Sequence, residues 1–230
     1  MRIIHILDHL NTPEPDALRG HLAARGLTLD ARRMDQGDGA PVFGPDSAGL
    51  ILTGGAQMIT DRDALPFMAA EMTLIAQARD LGLPVLGICL GAQLLAHMLG
   101  GVVGPHADGQ VALGFYETVA TAAGAGLLPD RLMTLAGNEQ GFSLPPGADL
   151  LATGAMFPNQ AFRAGDKTLA LQFHPEVTRL ILNDWQEVLR PNAGKPGTQP
   201  EATQNAGFTA HDPALKAWMG TMLDRHFALG

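Results

Sequence analysis

Short apolar runs recur along this chain, and between them apolar residues return every three or four positions. Ile3 to Leu7, Leu27 to Leu29, Leu50 to Thr53 and Val85 to Ile88 read as strands, with a helix from about Asp16 to Arg25 between the first two. A second helix is predicted over Pro66 to Leu81, with Met68, Met72, Ile75 and Ala76 on its apolar face and Gly82 suited to its C-cap. A third runs through Gln93, Leu94, Leu95, Met98 and Leu99 and closes at Gly100 and Gly101. Strand and helix in alternation imply βαβ units, and so an α/β fold around a mostly parallel sheet.

From Val111 to Phe173 the pattern changes to short strands separated by Gly124, Gly126, Pro145-Pro146-Gly147 and Pro158-Asn159, which are expected to extend or flank the same sheet. The stretch 191–212 is rich in Gly, Pro, Thr, Gln and Asn without a continuous apolar pattern, and is expected to be a loop or lid. Beyond it, 213–228 carries Leu215, Trp218, Met219, Met222 and Leu223 at helical spacing and is expected to dock as a terminal helix. The expectation is one domain over 1–230.

Composition narrows the function classes. With 46% hydrophobic residues and a mean hydropathy of +0.09, the chain can bury a substantial core. Its formal net charge is -8 and no basic run is present, which argues against nucleic acid or an anionic membrane as partner and in favour of a small-molecule substrate. The start, Met1 to Asp8, holds only a short apolar stretch broken by His5, followed by Asn11 and two prolines, unlike a signal peptide or a membrane span. A single cysteine excludes an internal disulfide and suits a reducing, cytoplasmic location.

That cysteine, Cys89, stands in Val85-Leu86-Gly87-Ile88-Cys89-Leu90-Gly91-Ala92-Gln93, where an apolar run meets the start of a helix. Glycines two residues to either side permit a sharp strand-to-helix turn that presents the thiol at the carboxyl end of the strand. A helix N-terminus also favours thiolate over thiol. Cysteine alone is more often a small buried hydrophobe; the flanking glycines turn the reading toward a nucleophile.

A nucleophilic thiol needs a base, and Gln172-Phe173-His174-Pro175-Glu176 follows the apolar run Leu169 to Leu171. Pro175 biases His174 toward an extended backbone, so that His174 and Glu176 project to the same side and can hydrogen-bond. A carboxylate behind an imidazole fixes its tautomer and stabilises the imidazolium formed when it takes the thiol proton. No metal or organic cofactor is expected: His5, His9 and His21 fall in different elements, His97 lies two helical turns beyond Cys89, and neither HExxH nor paired CxxC occurs.

These residues resemble the class I glutamine amidotransferases, in which a Cys-His-Glu triad hydrolyses the side-chain amide of glutamine. The cysteine segment and His174-Pro175-Glu176 match, and Leu52-Thr53-Gly54-Gly55-Ala56 is similar to the family's glycine-rich turn, with Ala56 where proline is usual. The resemblance runs from about Ile3 to the helix after Glu176. It is nearest to stand-alone amidotransferases similar to the glutaminase domain of GMP synthase, through Gly55-Ala56-Gln57-Met58 followed by Asp61 and Asp63, and through Pro158 to Arg163. It implies a three-layer, flavodoxin-like open sheet with helices on both faces. It also implies Cys89, His174 and Glu176 as the triad, the N–H groups of Gly55 and Leu90 as the oxyanion hole, and Gly54 and Gln93 in substrate binding.

One segment departs from the pattern. Where the subgroup carries a His-Trp-His-Gly-Asp-like stretch, this chain has Ala136-Gly137-Asn138-Glu139-Gln140, with Asn138 and Glu139 expected on a solvated loop. No GxxxxGK[S/T] phosphate loop is present, so the resemblance implies that a synthetase or acceptor subunit on another polypeptide uses the ammonia. Three readings follow: a glutamine amidotransferase acting on free glutamine, a γ-glutamyl peptide or conjugate hydrolase of the same fold, and a non-catalytic binding protein.

Overall fold

The computed structural model describes residues 2–9 and 16–229. Asn11 and the prolines that follow the first apolar run lie outside the described residues. In chain order the elements are β1 (Ile3–His9), α1 (Ala17–Ala24), β2 (Thr28–Arg32), β3 (Ser47–Gly55), α2 (Pro66–Asp80), β4 (Val85–Ile88), α3 (Leu90–Met98), β5 (Val103–Pro105), β6 (Ala112–Ala120), β7 (Arg131–Asn138), β8 (Gln140–Phe142), β9 (Asp149–Gly154), β10 (Asn159–Ala164), β11 (Thr168–Leu171), α4 (Arg179–Val188) and α5 (Glu201–His226).

One sheet has the order β2-β1-β3-β4-β11-β10-β9-β6-β7. The run from β2 to β11 is parallel, and β10, β9, β6 and β7 continue it antiparallel. The fold is therefore the expected α/β architecture, with the short-strand half of the chain joined to the same sheet. Strands β5 and β8 pair separately.

Alternation along each parallel strand builds two cores. Ile4 and Ile6, Ile51, Leu86 and Ile88, and Leu169 and Leu171 face a layer containing Leu18 and Leu22 of α1, Ile181 and Leu182 of α4, and Leu215, Met219 and Leu223 of α5. Leu7, Leu50, Leu52, Val85 and Ala170 face the other layer, with Ile75 of α2 and Leu94 and Leu95 of α3. Strands buried on both faces read as the near-continuous apolar runs seen in the sequence. Among the described residues no helix is long and apolar enough to cross a membrane.

The expected loop over 191–212 is corrected by the structure. A short 3-10 turn covers Arg190–Asn192, and α5 begins at Glu201 and passes through Pro213, which the sequence pattern places at a helix start. Proline removes one intrahelical hydrogen bond, so tertiary contacts must hold the first half of this helix. Phe208 packs edge-on against Phe115 with ring centroids 6.3 Å apart, and the Arg179 guanidinium lies 4.1 Å above the Phe208 ring. Arg179 also donates to Asn205 Oδ1 at 2.9 Å, and the buried Gln204 donates to Gln199 O at 2.8 Å. Phe115 and Arg179 are distant in sequence and leave no apolar periodicity within 201–212.

Strand order reverses between β1 and β3, because β2 is added on one side and β4 on the other. In open α/β sheets the crevice at the carboxyl ends of the strands flanking such a reversal is where ligands bind. The ends of β1, β3, β4 and β11 therefore bring His9, Gly55, Cys89 and Gln172 to one edge of the sheet.

Candidate active site

Cys89 joins β4 to α3 with φ 50° and ψ -105°, a backbone conformation that side chains other than glycine rarely adopt. Its N–H donates to Leu171 O at 2.7 Å and its carbonyl accepts from Gln93 N at 2.9 Å, so the strained residue is held from both sides. The flanking glycines act differently from the sequence expectation, since neither has a positive φ. A Cβ at Gly87 would stand 2.6 Å from the Gly91 backbone, and one at Gly91 would stand 2.6 Å from Leu52 Cβ. They let α3 start directly over the sheet, and the cysteine itself takes the turn.

His174 follows β11, where its N–H donates to Leu135 O at 2.8 Å. Its Nδ1 lies 2.7 Å from Glu176 Oε1, with the two side chains 2% and 1% exposed. Glu176 is anchored in turn, its backbone carbonyl accepting from Ala17 N at 2.9 Å at the start of α1. Nδ1–H donating to a carboxylate leaves Nε2 for proton exchange, and Nε2 is buried with no nitrogen or oxygen partner. Burial alone disfavours the imidazolium, but the charges on Glu176 and Cys89 outweigh it and push His174 from 6.5 up to about 10. A cysteine and a histidine so placed can exchange a proton without solvent.

The glycine turn closes this group from the side of β3. A Cβ at Gly54 would stand 2.5 Å from His174 Cε1 and 3.4 Å from Cys89 Cβ, so only glycine fits between β3 and the pair. A Cβ at Gly55 would stand 3.0 Å from Leu90 Cδ2, so the Leu90 side chain packs against the glycine turn. Leu90 opens α3, where first-turn N–H groups have no intrahelical acceptor. The structure thus gathers Cys89, His174, Glu176, Gly54, Gly55 and Leu90 at one place.

Gln93 is brought near the group but is already engaged. Its Nε2 donates to Gln140 O at 2.8 Å and to Gln172 Oε1 at 3.2 Å, and Gln172 Nε2 lies 3.6 Å from Cys89 Sγ. Two glutamines thus connect α3 to the sulfur.

The atypical Ala136 to Gln140 segment is not a solvated loop. Ala136 to Asn138 end β7, and Asn138 and Gln140 are buried, which corrects the expectation for Asn138. Asn138 Nδ2 donates to Gln140 O at 2.9 Å, while its Oδ1 is buried without a partner. Glu139 is partly buried and accepts from Asn192 Nδ2 at 2.9 Å. The Gly137 carbonyl lies 3.8 Å from Cys89 Sγ.

Trp185 is a site residue that no sequence signal singles out. From α4 its ring meets the His174 imidazole edge-on, with centroids 4.6 Å apart and planes at 84°. A Cβ at Gly137 would stand 2.8 Å from Trp185 Cζ3, so the indole fills the space over the glycine. The nearest thing to a clue is an aromatic residue on the helix following His174, in a chain lacking the aromatic residue expected at 136–138.

The sequence model of the family described as glutamine amidotransferase class-I matches residues 17–180. The glutamine-hydrolysing GMP synthase of Thermomicrobium roseum is 40% identical over 137 residues, covering 58% of this chain and 24% of that protein. That of Campylobacter jejuni is 31% identical over 179 residues, covering 77% and 33%. The chain thus spans about a quarter to a third of the length of these two relatives. In Methanoregula boonei, one subunit of the glutamine-hydrolysing GMP synthase is 29% identical over 168 residues, covering 70% of this chain and 83% of that one. A glutamine amidotransferase structure from Thermotoga maritima superposes with a TM-score of 0.87 at 24% identity over 98% of both chains. One from Methylobacillus flagellatus does so with 0.87 at 24% over 99% and 94%. At that identity the structural likeness speaks for the fold.

Proposed function

This chain belongs to the class I glutamine amidotransferases, and on that premise we propose that it hydrolyses the side-chain amide of glutamine through a thioester on Cys89, releasing ammonia for a separate acceptor enzyme. The observation that carries this reading is the placement of His174, with Nδ1 on Glu176 and Nε2 left to serve Cys89.

In this reading His174 Nε2 takes the Cys89 thiol proton, and the thiolate attacks the amide carbon. The carbonyl oxygen gains negative charge and is held by the N–H groups of Gly55 and Leu90, each donor lowering the barrier by roughly 3 kcal/mol. His174 then gives its proton to the amide nitrogen; the carbon–nitrogen bond breaks, ammonia leaves and a glutamyl thioester remains. Water, deprotonated by His174, attacks the thioester, and glutamate leaves as the thiol is restored. Glu176 holds the ring and stabilises its cationic form throughout. Gly54 keeps the ring and the sulfur together, and Gln93, through Gln172 and Gln140, shapes the substrate side of the sulfur.

The acceptor is proposed to be a synthetase carried on another polypeptide, as suggested by similarity to a relative that is itself one subunit of a GMP synthase. The test is to incubate the protein with glutamine and, separately, with γ-glutamyl amides, and to measure glutamate and released amine. Glutamate and ammonia in equal amounts from glutamine support the proposal. Turnover of γ-glutamyl amides alone favours the conjugate hydrolase, which the altered Ala136 to Gln140 segment would suit, and turnover of neither substrate favours the binding protein.

A further inference from the structure

The chemistry proposed above makes no use of one buried ion pair. At the end of β1 the register with β3 shifts between Leu7 and His9, an irregularity that re-aims the last residue of the strand. The N–H of His9 donates to Thr53 Oγ1 at 3.0 Å, a side-chain atom standing in for a strand carbonyl. On its ring, Nδ1 lies 3.1 Å from Thr53 O, and Nε2 lies 3.0 and 2.9 Å from Glu71 Oε1 and Oε2. A carbonyl only accepts, and so does an ionised Glu71, in which case both ring nitrogens donate; burial opposes the charged ring, but Glu71 outweighs it and raises the proton affinity of His9 above the ordinary value.

The His9 and Glu71 side chains are 1% and 0% exposed. Removing both charges from water is costly, and a buried pair of this kind is weak evidence for stability on its own. Its location suggests what the cost serves. A Cβ at Gly55 would stand 2.6 Å from His9 Cβ, so His9 backs directly onto the glycine turn, and Thr53 is the residue that leads into it. Thr53 is also tied to β1 by its hydroxyl, which donates to Asp8 Oδ1 at 3.1 Å. Glu71 belongs to the buried face of α2, so three elements converge on one peptide unit.

We propose that His9, held as an imidazolium by Glu71, is a positioning residue that acts through the Thr53 carbonyl to fix the Thr53–Gly54 peptide plane, on which the following Gly54–Gly55 peptide and the aim of its Gly55 N–H at the amide oxygen depend. This inference rests on the oxyanion role proposed for Gly55. A carbonyl bonded to a cation is held more firmly than one bonded to a neutral donor. The Thr53 carbonyl shares its peptide plane with the Gly54 N–H, so hinging it rotates the start of the glycine turn and displaces the Gly55 N–H one peptide further on, and misaiming an oxyanion donor acts on the transition state rather than on ground-state binding.

The test compares wild type with Glu71→Gln, which keeps shape and removes charge, and with Glu71→Asp, which keeps charge and shortens reach. Steady-state glutamine hydrolysis is read together with the amide resonances of Gly54 and Gly55 in a nitrogen-15 spectrum. In Glu71→Gln we expect kcat to fall on the order of 10- to 100-fold with KM within about threefold, as for a misplaced oxyanion donor. Both glycine amides should shift, and Glu71→Asp should lie between the two proteins. Unchanged kcat and unchanged glycine amides in a folded variant overturn the proposal, as does a rise in KM at constant kcat. Should Glu71→Gln fail to fold, the same two readouts on Glu71→Asp decide. A wild type without glutamine turnover refutes the proposed function, and the glycine resonances then decide separately whether the pair positions the turn.

Discussion

Gly54 and His174 are packed so closely that no side chain fits between them: a Cβ on Gly54 would stand 2.5 Å from His174 Cε1. The glycine therefore sets where the imidazole sits relative to Cys89. Gly54→Ala forces the ring away, and misplacement by about 1 Å costs on the order of 100-fold in rate. The expected outcome is a folded protein, less stable by about 1–3 kcal/mol through overpacking. Kinetics with glutamine and chemical denaturation measure the two effects, and full activity in Gly54→Ala would show that the contact is irrelevant to catalysis.

Cys89 holds a positive φ at the turn into α3. Strain of this kind costs of order 1–3 kcal/mol, and glycine relieves it whereas alanine does not. Cys89→Gly is therefore expected to be more stable than Cys89→Ala, the reverse of the usual order, and both are expected to lack glutaminase activity. Thermal unfolding of the two variants checks this; a clearly lower midpoint for Cys89→Gly would mean that the turn is unstrained.

The raised proton affinity of His174 has a definite consequence for pH. Its folded value of about 10 lies above the ordinary 6.5, so its contribution to stability is complete below about 6.5 and is lost as pH rises toward about 10. Glu176→Gln removes the main attraction, so its stability deficit against wild type should be largest at about pH 6.5 and shrink as pH rises toward about 10. Partial activity is expected to survive, because an amide still orients the ring. Denaturant midpoints for both proteins across this range test the sign, and a deficit that grows with pH would contradict it.

Trp185 and Gly137 compete for one space. Gly137→Phe alone is expected to destabilise the protein by about 1–3 kcal/mol, and combination with Trp185→Ala should recover part of that loss. A double-mutant cycle measures the coupling; strictly additive effects would place the two side chains apart.

Much of the fold was legible in the sequence because parallel strands buried on both faces read as near-continuous apolar runs, as Val85 to Ile88 does and Ile3 to Leu7 does apart from His5. The turn at Cys89 and the His174-Pro175-Glu176 segment were legible because each compresses its chemistry into a few consecutive residues. The first half of α5 was not, because Arg179 and Phe115 stabilise it from far away in sequence while Pro213 and a polar composition point the other way. Trp185 over Gly137 and the His9–Glu71 pair were equally hidden: each joins residues on different elements, with no spacing rule to connect them.

Intact-protein mass spectrometry after exposure to a chloroketone analogue of glutamine tests most directly whether Cys89 is the nucleophile of a glutamine site. The predicted result is one adduct per chain, mapped to Cys89, absent in Cys89→Ser and suppressed by excess glutamine. Absence of labelling in the folded protein, or labelling that γ-glutamyl compounds suppress and glutamine does not, would contradict it.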